Sequence, residues 1–179
     1  MTEQTFKTEV VYDEPIKVIR DIIQTEMALD EEQIVIYNQK YNIPKFEGIF
    51  MALGIRGDTI VSVKSWFETE TLKEWFEAAI ITPIQVDIMS RNGEARIRRL
   101  EPLLYLRGIY AQNMCEKNCL KIAKIPTNFD NVEDVESPAR LNRYTFTINV
   151  NSVFQISKTG QYYDKFVNPP LLADQIPIR

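Results

Sequence analysis

The sequence predicts an α+β fold: a single domain built on a mixed, mostly antiparallel sheet that two helical segments cover. Three observations predict it. Between Arg140 and Ile156, polar and apolar residues alternate. Tyr144, Phe146, Ile148, Val150, Phe154 and Ile156 fall on one face, and Arg143, Thr145, Thr147, Asn149, Asn151 and Gln155 on the other. This is the period-two pattern of a half-buried strand, broken only at Ser152 and Val153. Ile16, Ile19, Ile22, Ile23 and Met27 recur instead at the spacing of one helix face. Finally, 179 residues that are 45% hydrophobic and 26% charged suit one soluble domain with one core.

Taken in order, residues 1–12 are polar and extended, an N-terminal arm anchored only by Val10-Val11-Tyr12. Asp13-Glu14-Pro15 is a helix start, because Asp caps free amides and Pro tolerates the first turn, so a helix is expected at about 14–29. Asp30-Glu31-Glu32 ends it in a solvated turn, and Ile34–Tyr37 reads as a short strand. Residues 49–55 and 59–66 flank Arg56-Gly57-Asp58, whose glycine and aspartate favour a tight reversal, so a β-hairpin is expected there. A further strand runs from about Leu72 to Ser90; its part up to Ile81 also suits a short helix, and Pro83 points to an edge or a bulge. After the turn at 90–93, a helix follows to about Asn118, kinked or split by Pro102 and broken near Gly108. Leu120–Ile125 reads as a strand, and 127–139 as an exposed acidic loop. The resulting division is an arm at 1–12, a domain at 13–160 and an aromatic, proline-containing tail at 161–179.

Composition argues against several classes of function. The net charge of −4 and pI near 5.1 lack the basic stripe of a nucleic-acid binder. There is no basic, apolar leader at the N-terminus, so synthesis is expected to stay cytoplasmic. The longest apolar run, Ile49–Ile55, is stopped by Arg56, far short of a membrane span. The sequence contains no histidine, which removes Ser-His and Cys-His nucleophilic pairs and the commonest zinc ligand. Cys115 and Cys119 stack on one face of the expected helix, a spacing that favours buried thiols over a disulfide. The glycines are scattered singly, without a phosphate-cradling loop. Glu68, Glu70, Glu74 and Glu77 are the remaining candidates for carboxylate chemistry, and a solvated face is the simpler reading of them. Turn chemistry accounts for Arg56-Gly57-Asp58 without a receptor. The expectation is therefore a non-enzymatic protein with no cofactor, metal or catalytic site.

Four arginines, Arg91, Arg96, Arg98 and Arg99, cluster at the start of the central helix. They suit either a solvated face or the carboxylates of a neighbouring subunit, for which Asp130, Glu133 and Asp134 of the acidic loop are candidates. Tyr162, Tyr163 and Phe166 anchor either the local fold or a subunit contact. The candidate interface residues are thus Arg96, Arg99, Asp130, Glu133, Asp134, Tyr162, Tyr163 and Phe166.

From residue 84 onward the order of motifs resembles tailed-bacteriophage neck proteins of the tail-terminator type. The resembling pieces are Gln85-Val86-Asp87-Ile88, the turn at 90–93, a helix with Ala95, Arg99 and Leu104, Tyr110-Ala111, and the strand at 120–125. The series closes with Leu141-Asn142-Arg143-Tyr144, Ile148-Asn149-Val150 and Tyr162-Tyr163-Asp164 followed by Phe166, covering about half the chain. The resemblance implies a structural virion protein, a homo-oligomeric ring (hexamer favoured) that caps the tail tube and joins it to the head connector. Its implied partners are the tail tube protein and a head connector or adaptor protein, with no membrane. Phage DNA would pass through the lumen without specific binding, because an acidic ring offers few phosphate contacts. Two alternatives stand beside it: a head-completion or adaptor protein of the same neck, and a small carboxylate-dependent cytoplasmic enzyme.

Overall fold

The structure, a computed structural model, describes residues 8–12, 14–37, 48–123, 125–126, 129–131 and 142–159. Within them, β1 (Thr8–Val11) leads to helix α1 (Pro15–Met27), a single 3-10 turn at Glu31–Gln33, β2 (Ile34–Ile36), β3 (Phe50–Ile55), β4 (Thr59–Glu68) and β5 (Lys73–Ser90). Three short helices follow, α2 (Glu94–Arg98), α3 (Glu101–Tyr105) and α4 (Ile109–Lys117), then β6 (Lys121–Ile122), β7 (Asp130–Asn131) and β8 (Asn142–Thr159). The α+β class and the mixed, mostly antiparallel sheet are as expected; β2 alongside β3 is the parallel pair.

The spine of the sheet is β5 against β8, two 18-residue strands paired antiparallel without a register break from Lys73↔Thr159 to Ser90↔Asn142. Ser152 and Val153 therefore interrupt the sequence pattern but not the ladder: Ser152 takes an inward position and is buried, and Val153 points outward. The part of β5 before Ile81, open to a helical reading from sequence, is strand, because all of it is matched to β8 on one side and to β4 on the other.

The hairpin expected across Arg56-Gly57-Asp58 does not form. β3 and β4 both pair with β5, β3 from Ile55↔Ile84 onward and β4 from Thr59↔Ile81. Residues 56–58 thus bulge opposite Thr82 and Pro83, where proline has no amide to donate. The Arg56 amide donates to the Pro83 carbonyl at 3.0 Å, and Thr82 Oγ1 donates to Asp58 at 2.7 Å. Gly57 adopts φ 129°, a conformation only glycine takes easily, in service of a bulge rather than a reversal. The chain reverses later, through 69–72, with Leu72 at φ 53°.

Helix α1 buries Ile16, Val18, Ile19, Ile22, Ile23 and Met27 on the sheet. Pro15 opens it behind Glu14, and Asp13, the expected cap, lies outside the described residues. It closes in a Schellman turn, with Leu29 N–H donating to Gln24 O and Ala28 held at φ 51°. The second helical segment is split at Pro102 and Gly108 into α2, α3 and α4, as those residues require. Cys115 is buried in α4 and burial pushes its thiol up; Cys119 falls past the helix end at φ 52° and is exposed. Both thiols are free, so the expected pair of buried, stacked cysteines is corrected to one of each kind. The expected strands 34–37 and 120–125 shrink to Ile34–Ile36 and Lys121–Ile122.

The core lies between these helices and one face of the sheet, around Met51, Leu53, Ile84, Val86, Ile88, Phe146, Ile148 and Val150. On the opposite face Phe50, Ala52 and Met89 form a second buried cluster with Val35 against it. The sheet is therefore buried on both sides at this end.

Candidate functional site

Beyond the helical layer the sheet continues as an arm made of β1, the last part of β8, the first part of β5, and β4. Every residue of β4 from Thr59 to Phe67 is exposed. The register assigns its side chains to two faces. Ile60, Val63 and Phe67 share the helix-side face with Phe76, Ile80, Phe154 and Ile156 of the neighbouring strands. Ile60, Val63 and Phe67 are 62%, 68% and 47% exposed, which is unusual for an apolar row on a sheet. The other face is ordered by side-chain rungs. Lys64 Nζ lies 2.7 Å from Glu77, which also accepts from Gln155 at 2.6 Å. Next along the arm Trp66 and Trp75 stack at 6.0 Å and 7°. Lys64 lies over the Trp66 ring and Lys73 over Trp75. These rungs stiffen the arm without covering it.

The four carboxylates considered for catalysis sit here, and they do not converge. Glu68 accepts from Thr71 and Trp75 Nε1, which hold its carboxyl below the usual range. Glu77 is lowered by Lys64 and Gln155. Glu74 occupies the face opposite Glu77, and Glu70 is in the exposed turn. Among the described residues no group of three or more Cys, Asp or Glu is placed to hold a metal ion.

A second surface crosses α2 to α4. Ile97 (81% exposed), Leu100, Leu104 and Ile109 (77%) leave an apolar stripe on the solvent side of these helices. Arg96 is exposed beside it, and Arg99 lies over the Tyr144 ring at 5.4 Å while donating to the Arg96 carbonyl. Arg98 is committed internally: its guanidinium bonds Glu101, Glu94 and the Met27 carbonyl, and Glu101 foremost raises its pKa. Of the expected interface residues, Arg96 and Arg99 are thus brought together. Asp130 is exposed in β7, opposite Thr145, next to Phe129, whose ring packs edge-on against Phe146 at 5.7 Å. Glu133, Asp134, Tyr162, Tyr163 and Phe166 lie outside the described residues, as does most of the 127–139 loop.

Sequence reasoning missed a buried polar cluster on the face of the sheet away from the helices. Asp87 has no solvent exposure and accepts from Tyr37 Oη at 2.5 Å, Thr145 Oγ1 at 2.5 Å, Arg143 Nη2 at 2.9 Å and Gln85 Nε2 at 2.9 Å. Gln85 Oε1 in turn accepts from Arg56. Burial pushes the Asp87 carboxyl up, but the hydrogen bonds from Thr145, Tyr37, Arg143 and Gln85 outweigh it and hold the group below its usual value. The cluster ties β2, β5, β8 and the 56–58 bulge together at the point where the arm leaves the core. The signal was present in the alternation of Gln85 and Asp87, though nothing local said which residues they would meet.

An apolar groove of about 610 Å³ runs between α4 and β6, lined by Leu106, Ala111, Cys115, Leu120 and Ile122 with Arg107 and Glu116 at its margin. Among the described residues no helix is long and apolar enough to cross a membrane. No protein-family model and no curated protein matches the chain.

Proposed function

We propose that this chain is a structural subunit of a bacteriophage neck, which assembles into a ring that caps the tail tube and joins it to the head connector. The observation that carries the proposal is β4. It is a ten-residue strand, exposed from Thr59 to Phe67, rich in apolar side chains, and paired among the described residues with β5 alone. A strand of this kind is an aggregation hazard unless another chain covers it. The arginine-rimmed stripe of Ile97, Leu100 and Leu104 supplies a second exposed apolar surface, on the helical layer rather than on the arm. A ring subunit needs such separate surfaces, one for its neighbours and others for the tube and the head side.

The motif order that resembles tail terminators supports the same reading, and the mechanism is geometric. The overall negative charge fits a lumen that lets DNA slide rather than holding its phosphates. The virion is then the place of action, with assembly in the host cytoplasm. Electron micrographs of particles assembled without this chain test the proposal. Overlong tubes are expected of a missing terminator. Normal tails beside separate filled heads would assign the chain to head completion instead, and normal infectious particles would overturn the neck assignment.

A further inference from the structure

Among the described residues the arm has two open edges, and their directions are related. Across it the order is β1, β8, β5, β4, and each neighbouring pair is antiparallel. If β5 points up, β8 and β4 point down and β1 points up. The two edge strands therefore run in opposite directions. A second copy placed beside the first in the same orientation brings its β1, pointing up, against a β4 that points down. The antiparallel alternation continues without interruption, copy after copy.

Apolar character also continues across that junction. Val10 of β1 pairs with Ile156 and is 55% exposed, on the face that carries Val63 and Phe67 at the other edge. We infer that the contact between copies is strand addition, the β4 edge of one subunit hydrogen-bonding to the β1 edge of the next, so that the arms close into one continuous sheet. This rests on the ring reading, which requires every copy to share one polarity. A head-to-tail contact of unlike edges meets that requirement, and closure leaves neither edge open. Pairing β4 with a second β4 across a two-fold axis would bury one edge, leave both β1 edges open and stop at two copies.

Engineered cysteines in the full chain test the inference, in a Cys119→Ser background that removes the exposed native thiol. Within one subunit β1 and β4 are separated by three strand spacings, roughly 14 Å, beyond disulfide reach. A Val10→Cys crosslink to β4 must therefore join two copies. Val10→Cys is combined in turn with Val63→Cys, Ser65→Cys and Phe67→Cys, which share its face, and with Lys64→Cys and Trp66→Cys, which do not. All these β4 sites are exposed, and three same-face positions allow for the stagger between copies.

After mild oxidation, at least one same-face pair is expected to give a covalent ladder extending past the dimer on a non-reducing gel. The opposite-face pairs are expected to give none. A discrete ring that yields no same-face crosslink would overturn strand addition while leaving the ring reading intact. Absence of any discrete assembly would remove both. Ladders from both faces alike, or dimers from Ser65→Cys alone with nothing larger from the pairs, would also overturn it.

Discussion

Replacing Asp87 is expected to cost the fold more than any other single polar change among the described residues. Its carboxylate accepts from four side chains and has no solvent exposure. Asp87→Ala leaves a void where Tyr37, Thr145, Gln85 and the 28% exposed Arg143 guanidinium share one acceptor. Breaking a buried, hydrogen-bonded pair on one side costs about 3–5 kcal/mol. For a chain of this size that lowers the melting temperature by roughly 6–20 °C. Asp87→Asn keeps the shape and one acceptor oxygen but turns an amide donor toward other donors, so about 2 kcal/mol is expected.

The pH dependence has a definite sign. Because the folded-state pKa lies below the unfolded one, Asp87 contributes stability that is fully present above the unfolded value, about 3.9, and is lost as pH falls through the folded value. Glu68 and Glu77 shift in the same direction, so the difference between the native chain and Asp87→Asn isolates the Asp87 share. Urea unfolding of both proteins from pH 7 down to pH 2 measures it. The stability gap should be widest at neutral pH and narrow in acid. A constant gap, or Asp87→Asn within about 0.5 kcal/mol of the native chain at pH 7, would refute the assignment of this cluster as the pin between arm and core.

Three further outcomes follow from local geometry. Ala28→Gly should stabilise the chain by about 0.5–1 kcal/mol in urea unfolding, because an exposed alanine at φ 51° gives way to the residue suited to that helix end. Gly54→Ala should cost about 1–3 kcal/mol, since the new methyl would meet the Tyr37 ring at 2.9 Å; combined with Tyr37→Ala, the two losses should sum to less than their separate values in a double-mutant cycle. Val63→Asp, at a site 68% exposed, should leave the monomer's stability within about 1 kcal/mol of native while abolishing assembly seen by light scattering.

The sequence patterns that proved reliable were those a strand or helix face dictates alone. The alternation of Tyr144, Phe146, Ile148 and Val150 and the spacing of Ile16, Ile19, Ile22 and Ile23 each correspond to a single buried face. Pro102 and Gly108 divided the second helical segment because their backbone chemistry acts locally. Arg56-Gly57-Asp58 misled for the complementary reason. Its turn propensity is local, whereas its conformation is set by Pro83 and by the pairing of both flanking strands with β5, about 25 residues away in sequence. The Asp87 cluster was hidden in the same way: periodicity assigns Asp87 to a face, but only register places it beside Thr145 and Arg143. Of the candidate interface, the arginine cluster was legible as charge, and the i,i+4 and i,i+3 spacing of Glu94, Arg98 and Glu101 already signals that Arg98 is spent within the subunit. The exposed arm was not legible at all, because Ile60, Val63 and Phe67 look like core residues until the helices are seen to stop short of them.

The mass of the purified full chain, measured by native mass spectrometry and sedimentation over a range of concentrations, tests the ring account most directly. One closed assembly of fixed copy number, six being favoured, is the predicted result, with Val63→Asp reduced to single chains. A protein that remains a single chain at every concentration, or that grows into open-ended polymers of no fixed size, would contradict it.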